Sequence, residues 1–177
     1  MGRATGTPPK RKVIDLNEPC PTCKTPKRIL CIRSNRTIKP YPHHWGHANM
    51  ALVEIGPSGK TTTTYGNWPA KYTPEGGSTL KKDFDHDKNE QYPYARCKEI
   101  TEEQYKKFQQ NTAKADQSWN FYNNNCSTWA GSTWKDVTGE GLYYGQWDPT
   151  FYDAPSTLGT SIQGANGGYD TNFSGNF

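Results

Sequence analysis

The sequence has no apolar run long enough to cross a bilayer, so no transmembrane helix is expected. Its basic start, MGRATGTPPKRK, also lacks the apolar segment of a secretory signal, so action outside the cytoplasm would need another export route. Hydrophobic residues make up only 32% of the 177 positions, although 11 Tyr, 6 Trp and 6 Phe can bury a large area per residue. The composition predicts one folded, aromatic-rich domain with polar extensions rather than a disordered chain.

The net charge of +4 is unevenly distributed along the chain. Ten Lys and Arg residues lie within residues 1–40, where only Asp15 and Glu18 are acidic, which gives a local balance of +8. A basic arm of this kind can dock on nucleic acid, anionic lipid or an acidic protein. Because no aromatic residues are interleaved with these charges, a solvated arm is the preferred interpretation, and no nucleic-acid partner is expected.

Cysteine occurs five times, so at least one thiol is unpaired unless it bridges two chains. The segment CPTCK at 20–24 has the spacing of half a zinc site, which Cys31 and a nearby histidine could complete, but the second cysteine pair of such sites is missing. Zinc, a disulfide and plain thiols all remain open for these cysteines. The DHD tripeptide at 85–87 is interpreted as part of a solvated acidic loop, and no metal or other cofactor is predicted.

The chain divides into a basic arm, a central domain and a C-terminal extension. Residues 1–19 form the arm, which is expected to be loose, and residues 20–139 form the domain. Residues 140–177 are rich in Gly, Tyr and Asn without any period, so a long irregular tail is expected there.

Within the domain, the pattern predicts a small antiparallel sheet packed against helices, an α+β fold. Residues 29–33 are a short apolar strand, and residues 47–55 and 60–66 flank a Gly-Pro-Ser-Gly turn and predict a hairpin. Residues 69–99 are expected to form an irregular connection.

Two helices follow from capping signals. Thr101-Glu-Glu-Gln is a capping box, and apolar residues then recur on one helical face from Tyr105 to Trp119. Asn125 is a good cap for a second helix, which should end before Gly139.

Cys126 would lie in the first turn of this second helix. Unpaired backbone amides and the positive end of the helix dipole lower the pKa of a thiol at such a position. Most lone cysteines are nevertheless buried and inert. His47, at the head of a predicted strand and just after a glycine, is the candidate base that would take the thiol proton and return it to the leaving group.

In chain order, GHANMALVEIG, YGNWP, ITEEQYKKFQQ and YNNNCSTWA resemble segments of the circularly permuted branch of the papain-like superfamily. That branch includes permuted NlpC-type cell-wall peptidases and lecithin-retinol acyltransferase-like proteins, and in it a His-bearing strand precedes the Cys-bearing helix. The pattern over residues 40–138 is also similar to toxin domains delivered by type VI secretion. The resemblance implies a permuted papain-like fold with Cys126 as nucleophile and His47 as base.

The resemblance further implies a third polar residue that orients the imidazole. Asn67 is the first choice, because its side-chain carbonyl can accept from an imidazole N–H, and Asp83 and Asp85 are held in reserve. A structural turn before Pro69 is the alternative role of Asn67 and Trp68. The residues expected to contact substrate are His44, Tyr65, Trp68, Asn125, Ser127 and Trp129. His44 could instead lie on the surface.

The implied function is a cysteine amidase or endopeptidase that acts on bacterial peptidoglycan as an antibacterial secreted effector. Such an effector would be made in the bacterial cytoplasm, carried by a secretion apparatus to the periplasm of a target cell, and neutralised by a cognate immunity protein. The same chemistry also suits a lipid hydrolase, an acyltransferase or a protein deamidase. A catalytically inactive relative that binds glycan or protein is the non-enzymatic alternative.

Overall fold

Among the residues that the structure describes, a five-stranded antiparallel sheet packs against three helices, which is an α+β fold. The computed structural model describes residues 13–35, 46–69, 77–84, 87, 91–114, 125–144 and 154–177. The strands of the sheet lie in the order β5-β4-β3-β2-β6. Their bounds are β2 Lys27–Ser34, β3 Ala48–Gly56, β4 Gly59–Pro69, β5 Ser78–Lys82 and β6 Tyr94–Ile100.

The predicted hairpin is confirmed by the pairing of β3 with β4. Its register runs from Met50 opposite Tyr65 to Gly56 opposite Gly59, and a two-residue turn joins the strands. Gly59 has φ 120°, a conformation that favours glycine, so the Gly-Pro-Ser-Gly signal marked the turn correctly. The expected irregular connection over residues 69–99 was wrong, since it contains β5 and β6.

Both predicted helices are present and begin at the predicted caps. Helix α1 spans Glu102–Ala113, and Thr101 forms a capping box with Gln104. Helix α2 spans Cys126–Thr138 and ends at Gly139, which has the left-handed φ of 72°. The predicted continuation of the first helix toward Trp119 lies outside the described residues.

Strands β2 and β3 are buried on both faces because each face of the sheet carries its own core. The helix-side core includes Phe108 from α1 and Trp134 from α2. Alternate strand residues point to the other face, where they pack with Leu16. That second core contains Leu16, Ile29, Cys31, Ala51, Val53, Ile55 and Cys97.

Four of the five cysteines form disulfides, so the disulfide alternative holds and the zinc alternative is corrected. Cys20 pairs with Cys23, and Cys31 on β2 pairs with Cys97 directly opposite on β6. No group of three or more potential metal ligands occurs among the described residues.

The expectations of a loose arm and an irregular tail are corrected for residues 13–19 and 154–177, which the structure describes. Residues Ala154–Ala165 form helix α3, and its Leu158 and Ile162 are fully buried in the helix-side core. Strand β1, Ile14–Asp15, pairs in parallel with β7, Phe173–Ser174. The core therefore draws on residues from both segments that were expected to lie outside the domain.

No described helix has the length and apolarity needed to cross a membrane.

Candidate active site

The start of helix α2 fixes the position of the Cys126 thiol. Asn125 Oδ1 accepts from the amides of Ser127 at 2.9 Å and Thr128 at 3.2 Å, and Thr128 Oγ1 accepts from the Asn125 amide at 2.6 Å. This reciprocal cap leaves Cys126 as the first helical residue. Cys126 is the one free cysteine, and the residue is partly exposed.

His47 lies immediately before β3 and is held by its backbone. Its N–H donates to Asn35 Oδ1 at 2.5 Å, and its carbonyl accepts from the Asn35 amide at 3.0 Å. Gly46, with φ 71°, allows the chain to approach Asn35 closely, because a Cβ there would lie 3.0 Å from the Asn35 carbonyl oxygen. The side chain of His47 is buried.

The structure brings Cys126 and His47 together. Burial opposes ionisation of the thiol, but the adjacent imidazolium charge and a hydrogen bond to His47 lower the pKa of Cys126, as does a hydrogen bond from the Ala48 amide. Burial likewise opposes protonation of His47, but the Cys126 thiolate and the hydrogen-bonded Asp87 carboxylate raise the pKa of His47 to about 9. Each group therefore favours the charged form of the other, a thiolate beside an imidazolium.

Asp87 is the third member of the arrangement. Its Oδ1 lies 3.1 Å from His47 Nε2, and its side chain is completely buried. Burial alone would raise the pKa of Asp87, but the hydrogen bond and positive charge of His47 lower it below the usual value. Because Nε2 lies beside this carboxylate, the negative charge of Asp87 favours the protonated imidazole.

Asp87 is in turn held by a network of polar side chains. Arg33 Nη2 donates to its backbone carbonyl at 3.0 Å, and Arg33 Nε donates to Asn49 Oδ1 at 2.8 Å. The carboxylate accepts hydrogen bonds from Asn49 Nδ2 at 3.1 Å, Trp68 Nε1 at 3.1 Å and Tyr92 Oη at 3.2 Å. Because its acceptor positions are filled in this way, the buried charge is stabilised in one geometry.

Gly66 on β4 makes the space that the carboxylate fills. A Cβ at this position would lie 2.3 Å from Asp87 Oδ2 and 2.7 Å from Trp68 Nε1, far closer than atoms can approach. The next residue on this face, Trp68, stacks on the His47 ring with 3.9 Å between centroids and 29° between planes. The segment YGNW therefore shapes the surroundings of His47 in two ways. Gly66 leaves room for the Asp87 carboxylate, and the flat ring of Trp68 stacks on the imidazole.

Asp87 corrects two predictions from the sequence. The DHD tripeptide is not simply a solvated acidic loop, since its last residue is buried against the base. Asn67 Oδ1, which was expected to accept from His47, has no hydrogen-bond partner among the described residues, and Asp87 Oδ1 lies beside His47 Nε2 instead. Of the reserve candidates, Asp83 accepts from the Thr64 amide at 3.1 Å, and Asp85 lies outside the described residues.

The other predicted contact residues that the structure describes lie on α2 and β4. Ser127 is buried, and its Oγ lies 4.0 Å from Cys126 Sγ. Trp129 is buried one turn further along α2. Tyr65 packs edge-on against Phe108, and burial raises its pKa to about 12. His44 lies outside the described residues.

Comparisons with protein-family models, with curated proteins and with solved structures found no match. The chemistry of the site is therefore inferred from its own residues. A thiolate at a helix start, an imidazole beside it and a buried carboxylate behind the imidazole can attack a carbonyl carbon and protonate a leaving group.

Proposed function

We propose that the chain is a cysteine hydrolase in which Cys126 is the nucleophile, His47 the general base and acid, and Asp87 the residue that orients His47. The observation that carries the proposal is the position of the His47 imidazole between the Cys126 sulfur and the buried Asp87 carboxylate. The fold is proposed to be the permuted papain-like one, in which the histidine strand precedes the cysteine helix along the chain.

The proposed reaction is hydrolysis of an amide bond in two steps. The Cys126 thiolate attacks the carbonyl carbon, and the C–N bond breaks as the His47 imidazolium gives its proton to the leaving nitrogen. Water, deprotonated by the neutral imidazole, then attacks the thioester, and the acid product leaves as the thiolate and imidazolium are restored.

The proposed substrate is the peptide part of bacterial peptidoglycan, and the proposed role is that of an antibacterial effector carried to the periplasm of a target cell. Disulfides persist in oxidising compartments such as the periplasm, so the Cys20–Cys23 and Cys31–Cys97 bonds support this location. The basic residues of the N-terminal arm suit an anionic wall or an acidic carrier. A cognate immunity protein would be expected to cover Cys126.

Alkylation by iodoacetamide near neutral pH tests the activated thiol. Because the other four cysteines are paired, labelling of the folded protein reports on Cys126 alone. We expect a rate roughly tenfold or more above that of glutathione, a return toward the glutathione rate in His47→Gln, and no labelling in Cys126→Ala. A wild-type rate equal to that of glutathione would remove the main support for the hydrolase.

Purified sacculi test the substrate. We expect wild-type protein, and not Cys126→Ala, to release new muropeptides detectable by mass spectrometry. If Cys126 is fast-reacting but the muropeptide profiles are identical, the substrate is a lipid or protein rather than peptidoglycan.

A further inference from the structure

Arg33 on β2 is a charged side chain buried behind the candidate site. The residue is 5% exposed. Its guanidinium donates through Nε to Asn49 Oδ1 and through Nη2 to the backbone carbonyl of Asp87. The ring centres of Tyr92 and Phe177 lie 4.7 Å and 4.9 Å from its Cζ, within the range of cation–π attraction. Because a buried charge is costly unless an opposite charge accompanies it, Arg33 requires an anion nearby.

The anion that accompanies Arg33 is the completely buried carboxylate of Asp87. Asn49 links the two charges, because its Oδ1 accepts from Arg33 Nε at 2.8 Å and its Nδ2 donates to Asp87 Oδ1 at 3.1 Å. The same carboxylate oxygen lies 3.1 Å from His47 Nε2. One carboxylate is therefore shared by two cations, the guanidinium and the imidazolium.

The charges of these buried groups balance. Burial lowers the pKa of Arg33 to about 10, although the Asp87 charge raises it, so the guanidinium stays charged at neutral pH. With Cys126 as thiolate and His47 as imidazolium, the four groups carry two positive and two negative charges. The guanidinium and the carboxylate offset each other, and the imidazolium and the thiolate do the same.

The surrounding elements that the structure describes bring few other charges to this cluster. The residues paired with Arg33 on β3 and β6 are an asparagine and an alanine, which are uncharged. The Tyr92 hydroxyl donates to Asp87 Oδ1 at 3.2 Å. Strand β5 contributes Lys81, whose ammonium lies over aromatic rings. Arg33 is therefore the cation, besides the imidazolium, that the contacts connect to the carboxylate.

We propose that Arg33 is a positioning residue of the hydrolase, whose buried charge offsets that of Asp87 and so limits how tightly His47 holds its proton. The inference rests on the proposed function. A general acid must give its proton to the leaving group, and an unopposed carboxylate would hold that proton on the imidazole more strongly. Arginine suits this position because its planar fork reaches two acceptors at once and keeps its charge when buried.

NMR titration of the His47 imidazole tests this charge balance without any substrate. The C–H resonances of His47 are assigned by their absence in His47→Gln. Arg33→Met removes the charge and keeps an apolar stem, and we expect it to raise the His47 pKa by roughly half a unit or more. Arg33→Lys keeps the charge and should titrate close to wild type. If Arg33 only held Asp87 in place, the carboxylate would move away and the His47 pKa would fall, so the sign of the shift separates the two roles.

A milder variant covers the case in which Arg33→Met does not fold, since removing one charge of a buried pair is strongly destabilising. Phe177→Ala keeps Arg33 and opens the guanidinium to water on one side. Water weakens the field of the guanidinium at Asp87, so the His47 pKa should again rise, by a smaller amount than in Arg33→Met. Circular dichroism establishes which variants are folded.

The possible outcomes separate the proposal from the proposed function. An unchanged or lowered His47 pKa in folded Arg33→Met overturns the proposal, and the same result in Phe177→Ala overturns it if Arg33→Met is unfolded. A shift in Arg33→Lys as large as that in Arg33→Met also overturns it, because charge would then not be the cause. Alkylation of wild-type Cys126 at the glutathione rate refutes the hydrolase itself, and that result is distinct from any shift in the His47 titration.

Discussion

Asp87 Oδ1 lies 3.1 Å from His47 Nε2, so the imidazole is held between a buried carboxylate and the Cys126 sulfur. This contact joins two segments that are forty positions apart in the chain. If His47 is the base, as proposed, substitution of Asp87 should change activity as substitution of Cys126 does.

Asp87→Asn should keep the shape of the network and remove its charge. Without that charge the His47 pKa falls toward its ordinary value and the ion pair weakens, so we predict a loss of roughly 10²- to 10⁴-fold in kcat/KM for muropeptide release. Asp83→Asn is the matched control, because it keeps an oxygen that can accept from the Thr64 amide and should stay near wild type. Equal activities for the two variants would show that Asp87 does not orient the base.

Gly66→Ala should displace the Asp87 carboxylate and leave its chemical identity unchanged. The new Cβ would lie 2.3 Å from Asp87 Oδ2, so the side chain must move away from His47. We predict a loss of alkylation rate and hydrolysis comparable to that of Asp87→Asn, with the circular dichroism spectrum retained. Gly56→Ala, in the same hairpin, has no atom within 4 Å of the new Cβ and should behave as wild type. A fully active Gly66→Ala protein would contradict the packing described here.

The pH dependence of the reaction rates should distinguish the titration of the Cys126 thiol from that of the His47 imidazolium. Below the lowered pKa of Cys126 the thiol is protonated and attack is lost; above the His47 pKa of about 9 the proton needed by the leaving amine is lost. We predict a bell-shaped kcat/KM for amide hydrolysis with its basic limb near pH 9. Iodoacetamide alkylation needs only the thiolate and should show the acid limb alone. A basic limb shared by both reactions would argue against His47 as the acid.

The Cys31–Cys97 disulfide should contribute more to stability than the Cys20–Cys23 disulfide. Their sequence separations are 66 and 3, which in the chain-entropy account correspond to about 4 and about 2 kcal/mol. We predict that replacing Cys31 and Cys97 by alanine lowers the free energy of unfolding by more than replacing Cys20 and Cys23. Denaturant titration of the two double variants measures the difference, and the reverse order would refute it.

Local patterns revealed the elements that carry their own signals. The capping residues Thr101 and Asn125 and the turn ending at Gly59 are recognisable within a few residues, and the structure confirms all three. Because helix starts and hairpin turns are set by local hydrogen bonds and backbone angles, a sequence alone can indicate them.

The elements that were missed depend on contacts distant in sequence. Helix α3 has the sequence APSTLGTSIQGA, whose Gly, Ser and Thr are poor helix formers, and it is stabilised by burial of Leu158 and Ile162. Asp87 lies in the charged run DFDHDKNE, where nothing local distinguishes it from its neighbours. The signal that could have found it is Gly66, since a glycine in a strand marks a close approach by another group.

The Cys31–Cys97 disulfide between β2 and β6 makes the lifetime of the protein depend on its compartment. In a compartment kept reduced by glutathione, Cys31 and Cys97 would remain two separate thiols, the unfolded state would be less constrained, and proteases would find unfolded molecules more often. In an oxidising compartment the same chain gains its cross-link and lasts longer. Its lifetime is thereby tied to its surroundings, and a pulse–chase comparison in reducing and oxidising compartments should show the difference.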